Sequence, residues 1–430
     1  MRFIKRRLDA MRIVKNIVFL STGTGIAQLV PFIAAIFLAR LYTENNWGDL
    51  SVFLAIAGIL GVAATFRYEL AIILPRKIND ARNLLALCIF NSLLVGLLAW
   101  IVLFFCYLIF ESKLAIYNLN LLYLTPIMVI SIGIYNSFDN WFNRVHQYKK
   151  MAMNKVFLSI SSNILKILFG ILGISLGLIY GTVLGYLFAI ILFIFLYLKS
   201  NGLYSYKSVS FKKIKRMFIE YKDFFVYSVP GSLLNALSNV GLPLLIVYFY
   251  SVELAGIYFF ANLIIRQPLG ILSSSIAQVY KNEINLLYLN EKNKMLKFTS
   301  QIQKTIFIFV FPILLLFSFF GGEIFSFAFG KQWFESGDMI KYFAIFILFN
   351  TNYSPISSIG DVLRKQKILL FFNLSVVLSQ IILLILFSNK LEFNYMILFI
   401  SISGAIHFLI IDIYMKHCIK KLQYDKKDSQ

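Results

Sequence analysis

Residues 221–283 read YKDFFVYSVPGSLLNALSNVGLPLLIVYFYSVELAGIYFFANLIIRQPLGILSSSIAQVYKNE, and this stretch decides the fold class. Two long apolar runs are joined by a very short turn, and each carries polar groups in a helical pattern. In the first run, Ser228, Ser232, Asn235 and Asn239 recur at i, i+4, i+7 and i+11. That spacing gathers them on one face of a helix made otherwise of Leu, Val and Ile. In the second run Arg266 lies about 14 residues past Val252, so roughly 21 Å along a helix rising about 1.5 Å per residue. Half the hydrocarbon of a bilayer is about 15 Å thick, so the guanidinium is expected near the midplane. Asn262 precedes it by one turn and Pro268 follows it closely. A cation beside a helix-breaking residue is expensive in lipid and marks a functional site before it marks an anchor.

Working outward, the same pattern fills the chain. It has 430 residues, 59% of them hydrophobic and 14% charged, with a mean hydropathy of +0.78. A soluble chain carries about 25% charged residues. Apolar runs predict about twelve spans, at 16–40, 47–73, 82–110, 117–143, 151–173, 175–198, 224–249, 252–280, 298–320, 339–362, 368–388 and 393–416. The expectation is an all-α polytopic membrane protein. When loops are assigned alternately, about 32 of the 41 Lys and Arg fall on one side, with both termini, and about five on the other. The positive-inside rule puts both termini in the cytoplasm and explains the net charge of +21 by topology. Nucleic acid is therefore not the expected partner; anionic membrane lipids are. The basic N-terminus leads into a span too long for a signal-peptide core and reads as uncleaved. Cys88, Cys106 and Cys418 form neither a disulfide framework nor a metal motif.

Polar stripes recur along other spans. Span 1 carries Ser21, Thr24, Gly25 and Gln28; span 2 has Arg67 and Glu69 in its cytoplasmic third, with Pro75 at its exit. Span 4 ends with Asn136, Asp139, Asn140 and Asn143, where solvation at the membrane surface is the expected account of the aspartate. Span 5 has Ser159, Ser162, Asn163 and Lys166 on one face, the lysine read as near mid-depth. Span 9 has Lys304 and Pro312, span 10 has Asn350, Ser354, Ser357 and Asp361, and Gln380, His407 and Asp412 stand as isolated polar groups in spans 11 and 12. Seven of the eight prolines fall within apolar spans, which suits helices that bend. Such stripes can be glue between helices or the lining of an aqueous lumen. Five stripes, two with a central cation, favour the lumen.

The basic connector 199–223 holds Lys207, Lys212, Lys213, Lys215 and Arg216 between apolar residues at helical spacing, as in a segment along the inner membrane surface. It divides the chain into lobes 1–198 and 224–430, six spans each. LYTENNWGDLSVF at 41–53 aligns with FYSVELAGIYFF at 249–260, superposing Tyr42 on Tyr250 and Gly48 on Gly256. Halves with an even number of spans run parallel, as repeats about an axis along the membrane normal. No phosphate loop, nucleophile elbow or metal motif appears, and the outer loops are short, so catalysis is not expected.

Four segments carry a resemblance. YKDFFVYSVPGSLLNALS with AGIYFFANLIIRQPLG and AQVY, FRYELAIILP in span 2, DNWFNRVHQYKKMA after span 4, and the Ser-Pro segment leading to LRKQK stand in the order seen in oligosaccharide-lipid flippases. The chain resembles the polysaccharide-transport branch of the multidrug/oligosaccharidyl-lipid/polysaccharide exporter superfamily. That resemblance implies two six-helix lobes, alternating access and a cationic central cavity, which Arg67, Lys166 and Arg266 fit. The implied cargo is an undecaprenyl-diphosphate-linked sugar unit of O-antigen, capsule or exopolysaccharide, moved from inner to outer leaflet of the bacterial cytoplasmic (inner) membrane. Asn262, Asn235, Asn239, Ser232, Gln28, Asn163 and Asn350 would serve the sugar. No cofactor is implied, coupling to H+ or Na+ stays open, and polysaccharide polymerase or assembly proteins are candidate partners. The alternatives are a multidrug/cation antiporter or a lipid II flippase of the same superfamily, and more remotely a membrane-bound polysaccharide polymerase. Antiporters of this kind carry acidic residues in one lobe; here the mid-depth charges are basic.

Overall fold

A computed structural model describes residues 24–114, 119–201, 208–363 and 365–424. The basic N-terminus, Ser21, Lys207, Arg364 and Asp425 lie outside the described residues, as do the side chains of Cys106 and Asp361. The described residues are helical and contain no strand. The helices are α1 (Thr24–Leu41), α2 (Glu44–Ala63), α3 (Ile78–Leu114), α4 (Leu119–Arg144), α5 (Tyr148–Ile171) and α6 (Gly177–Asn201). There follow α7 (Phe211–Glu220), α8 (Val229–Val240), α9 (Leu242–Phe249), α10 (Val252–Asn290), α11 (Met295–Phe329) and α12 (Phe334–Asp338). The chain ends with α13 (Ile340–Tyr353), α14 (Ile359–Val362), α15 (Gln366–Phe387) and α16 (Phe393–Tyr424). Eight of the described helices are long and apolar enough to cross a membrane, or nine with the bent pair α8–α9. The other three expected spans are occupied by α4, α10 and α13, so the twelve passages fall where hydropathy put them.

Local chemistry adds three features to those passages. Span 2 is not one helix: α2 ends at Ala63, Phe66 and Arg67 turn through left-handed φ of 53° and 63°, and Tyr68–Ile73 continues as a 3-10 helix. Two successive non-glycine residues in that region cost about 1–3 kcal/mol each. The turn is held by Glu69, buried and bonded to the Thr65 hydroxyl and to Arg67. Span 7 is not straight either. It starts as a π-helical turn at Phe224–Ser228, becomes α8, and bends by 54° into α9 at Gly241. Third, Pro126, Pro268 and Pro312 sit inside continuous helices, whereas Pro230 and Pro355 occupy first turns. A first-turn proline sacrifices no ladder bond, so it starts a helix instead of bending one.

Contacts divide the chain into two compact units, Met1–Leu244 and Leu245–Gln430. In the first, the core is built on α4 and α6: the Phe142 and Phe193 rings stack at 5.2 Å, with Tyr135, Phe138 and Trp141 around them. Leu84 and Cys88 of α3 and Tyr68 and Ile72 of the 3-10 helix close that core. Close helix approach depends on glycine here. A Cβ on Gly185 would meet the Ser162 backbone at 2.8 Å, so α6 lies directly on α5.

The connector is docked protein, more than a surface float. Met217 is 1% exposed, Ile214 and Tyr221 pack on the same core, and the Tyr68 hydroxyl donates to the Phe218 carbonyl at 2.9 Å. Asn83 of α3 bonds both the Ser208 carbonyl and the Ser210 amide, and Arg216 pairs with Asp80 at 2.9 Å. Arg144, the last residue of α4, donates to the carbonyls of Ile72 (3.0 Å), Ile73 (2.8 Å) and Pro75. The FRYELAIILP and DNWFNRVHQYKKMA segments, far apart in sequence, are thus clamped together by one guanidinium.

The second unit has its core around Tyr280, Ile284, Tyr353, Ile356 and Met415. At its other end Phe260 lies on Trp333 at a centroid distance of 4.0 Å, with Phe325 and Phe329 beside it. The repeat read between residues 41–53 and 249–260 shows in matching detail within each unit. Both α2 and α10 follow an extended cap residue, Thr43 or Ser251, with an acid in the first turn. The preceding tyrosine ties that cap to a later helix or its exit: Tyr42 to the Lys166 carbonyl of α5 (2.7 Å), Tyr250 to the Leu391 carbonyl after α15 (3.5 Å). Those are the fifth passage of each half.

Candidate functional site

Lys166 in the first unit and Arg266 in the second lie within apolar helices, and neither has a carboxylate partner among the described residues. In the second unit, Tyr258, Asn262 and Arg266 share a face of α10 at i, i+4 and i+8. That face meets α13: the Tyr258 ring packs on Phe343 at 5.4 Å, and Arg266 Nη2 donates to Asn350 Oδ1 at 3.2 Å. Asn350 belongs to a separate stripe in the sequence, so the fold joins two expected positions. Arg266 and Asn262 are both half-buried. The partner is a neutral amide, so the charge of the guanidinium is uncompensated and available to an anion.

In the first unit, the stripe on α5 divides between two jobs. The Ser159 hydroxyl donates to the Ala27 carbonyl of α1 at 2.6 Å, and Asn163, 5% exposed, donates to the Ser159 carbonyl at 2.8 Å. Ser159 joins α5 to α1, while Asn163 bonds within α5 and is buried, which leaves little of it for a ligand. Gln28, beside that contact, is half-buried with no hydrogen bond among the described residues. Lys166 lies on α5, five residues short of Ile171. Its stem packs under Gly181 of α6, where any Cβ would strike the Lys166 Cγ at 2.6 Å.

Arg67 differs from the expectation of a free cation. Its Nη1 pairs with Glu69 Oε1 at 3.2 Å, and the side chain is 27% exposed. It acts first as the partner of a buried carboxylate. On α8, Asn239 donates to the Asn235 carbonyl (2.8 Å) and to its Oδ1 (3.2 Å), both side chains are exposed, and Ser232 is half-buried one turn earlier. Ser228 falls in the π-helical turn, so the fourfold stripe is regular only from Ser232 onward.

Two further polar groups have partners that spacing did not reveal. Asp412, read as isolated, accepts from Gln303 Nε2 and from Lys416 Nζ, each at 2.7 Å, while Asn352 donates to the Gln303 carbonyl at 2.9 Å. The i,i+4 spacing of Asp412 and Lys416 was the available signal; the long-range partners had none. His407 bonds the Ser403 carbonyl of its own helix and packs on Phe372, as a structural histidine does. Among the described residues no group of acids, histidines and cysteines could hold a metal ion.

Solved transporters share this fold. A multidrug resistance MATE family transporter of the MOP superfamily, inward-facing, aligns with a TM-score of 0.63 at 13% identity, over 94% of this chain and 96% of that one. Lipid II flippase MurJ, inward closed, aligns with a TM-score of 0.67 at 18% identity, over 94% of this chain and 87% of that one. A MOP superfamily transporter from Pyrococcus furiosus, described as having a reverse-polarity binding pocket, aligns at 0.54 and 15% identity, over 95% of this chain and 96% of that one. No curated protein sequence matches. These define a multi-pass membrane protein with the fold of MOP superfamily transporters. The family model described as "Polysaccharide biosynthesis protein" matches residues 37–338, and the chain belongs to that family. The resemblance to the polysaccharide-transport branch holds, and with it a transporter or flippase role.

Proposed function

We propose that the chain is a flippase for an undecaprenyl-diphosphate-linked oligosaccharide, a repeat unit of O-antigen, capsule or exopolysaccharide. It would carry that unit from the inner to the outer leaflet of the bacterial cytoplasmic membrane by alternating access of the halves 1–198 and 224–430. The observation that carries this reading is the isolation of two cations within apolar passages. Among the described residues Lys166 and Arg266 make no ion pair, and the Arg266 guanidinium donates its hydrogen bond to the Asn350 amide oxygen. A diphosphate cannot enter about 30 Å of hydrocarbon unaided, and such cations offset its charge. Asn262, Asn350, Asn235, Asn239, Ser232 and Gln28 replace water on sugar hydroxyls. Asn163 and Arg67, engaged with Ser159 and Glu69, serve the site from behind. Both termini face the cytoplasm, following the Lys/Arg bias, and polymerase or assembly proteins outside take up the delivered unit.

The second reading is a lipid II flippase, favoured by the TM-score with MurJ. That cargo also presents a lipid diphosphate, so the cations suit either. Reconstitution decides. Vesicles carrying the purified chain are given defined sugar-lipids or lipid II, and exposure on the far leaflet is measured. Movement of the oligosaccharide-lipid without lengthening supports the proposal. Movement of lipid II alone replaces it with the second reading, and movement of cationic drugs alone makes the chain an antiporter.

A further inference from the structure

Exposed apolar side chains are ordinary on helices that cross a membrane, but α7 is too short and too basic to cross one and exposes them all the same. One side of α7 is spent on the protein, where Ile214 and Met217 pack into the core of the first unit. At about 100° per residue, Phe211, Lys212, Lys215, Phe218 and Ile219 fall together on a different third of the helix. Phe211 is 81% exposed and Ile219 56%, and both lysines are exposed between them. The one acid of α7, Glu220, falls outside that third, and Asp80 of α3 is taken by Arg216. Lys212, Lys213 and Lys215 have no carboxylate partner among the described residues. The helix is also tethered close to a membrane passage. Three residues link Glu220 to Phe224, where the bent pair α8–α9 is entered, a reach of at most about 14 Å. Phe225, Val226 and Tyr227 at that entry are exposed, as lipid-facing side chains are.

A phenylalanine standing in water between lysines fits one neighbour well. At the surface of an anionic bilayer, apolar side chains enter the boundary between headgroups and acyl chains while lysine ammonium groups reach the phosphates. We propose that this face of α7 binds the headgroups of anionic phospholipids in the adjacent leaflet, the inner one on the proposed orientation, and that the contact regulates the first unit. A protein partner could cover the same apolar residues, but the unmatched positive charge and the short tether to a membrane passage select lipid. The contact has a route into the unit. The Tyr68 hydroxyl donates to the Phe218 carbonyl at 2.9 Å, and the two rings lie 5.6 Å apart. At the entry turn the Phe225 ring lies 5.0 Å from that of Phe66. Phe66 and Arg67 are the left-handed pair that breaks span 2, and their turn brings Arg67 to Glu69. The connector thus braces a costly turn from both sides. A headgroup that fixes the outer face of α7 strengthens that brace, and its loss leaves α7 held by its core packing alone.

The lipid surface stands apart from the transport reading; its effect on translocation rests on that reading. The first arm of the test is independent of transport. Purified full-length chain in phosphatidylcholine vesicles receives a trace of phosphatidylglycerol or of phosphatidylcholine, each with a photoreactive group near the headgroup. Cross-linked peptides are read by mass spectrometry. A lysine near an anionic surface contributes about a fivefold preference, so cross-linking within residues 211–219 should favour phosphatidylglycerol by about 25-fold. The double variant Lys212→Gln/Lys215→Gln should bring it down to the phosphatidylcholine level, whereas Lys213→Gln, on another side of the helix, should change it little. High salt should weaken the preference. Equal cross-linking by the two lipids, or none by either, overturns the surface. Displacement by glycerol 1-phosphate in solution also overturns it, by making the ligand a soluble phosphate. The second arm measures sugar-lipid movement per folded molecule in phosphatidylcholine vesicles with and without phosphatidylglycerol. The wild-type rate should rise at least about fivefold with phosphatidylglycerol, and the double variant, made in normal amount, should keep the basal rate and lose the response. Selective cross-linking with an unchanged wild-type rate overturns the regulation alone. Selective cross-linking with no sugar-lipid movement in either lipid condemns the transport reading and leaves the surface standing.

Discussion

Arg266 gives the sharpest test of the proposed site, because its surroundings separate two roles by energy. If Arg266 were half of a buried ion pair, removing it would strand a charge at about 3–5 kcal/mol, and the folded amount would fall. Its partner is the neutral Asn350 Oδ1 at 3.2 Å. Truncation leaves one amide oxygen short of a donor, about 1–3 kcal/mol, and also removes a cation from an apolar passage, which offsets part of that. Arg266→Ala should therefore reach the membrane in near-normal amount. Transport should respond differently. A phosphate oxygen about 4 Å from a guanidinium, at an effective dielectric near 20, gains about 4 kcal/mol, an upper figure equal to roughly a thousandfold. Initial flipping rate per folded molecule should fall about 100- to 1000-fold in Arg266→Ala and further in Arg266→Glu. Arg266→Lys keeps the charge but not the fork to Asn350, so about tenfold is expected. Normal transport by Arg266→Ala would refute the argument. A variant that vanishes from the membrane would return the residue to a structural role.

Three further predictions follow from the fold. Arg144→Lys keeps the charge but cannot span the carbonyls of Ile72, Ile73 and Pro75; two lost charged bonds should lower detergent-solubilised stability by about 3–6 kcal/mol, read as an earlier thermal transition. A Cβ on Gly337 would run into the Gly321 carbonyl oxygen, backbone against backbone, so Gly337→Ala should prevent α11 and α12 from closing and strongly reduce folded protein, whereas Gly270→Ala, with open space, should not. For topology, single cysteines at Ser210 and Asn290 should resist an impermeant external thiol reagent, while ones at Asn45 and Lys331 should react; all four positions are exposed, and labelling of Ser210→Cys in intact cells would reverse the orientation. Ser336, in the same outer loop, is fully buried and unsuited to that assay.

Hydropathy and periodicity located the passages because they report a property of single helices, namely twenty or so apolar residues against lipid. The same logic found Arg266, since a cation at that depth shows in one dimension. What it missed depends on pairs. A polar residue in a span looks alike whether it faces a ligand, another helix or nothing, and only the neighbouring helix decides. Asn163 and Ser159 share a face with Lys166, but Ser159 gives its hydroxyl to the Ala27 carbonyl of α1 and Asn163 its amide to the Ser159 carbonyl of its own helix. Arg67 and Glu69 were visible two residues apart, but two residues on a regular helix point away from each other. It took the left-handed turn at Phe66 and Arg67, invisible in composition, to bring them together. Asp412 stands alone in its span by sequence and has two partners, Gln303 from α11 and Lys416 one turn along its own helix. Only the second shows in spacing, because an i,i+4 pair is set by one helix, whereas the amide of Gln303 arrives with the packing of another.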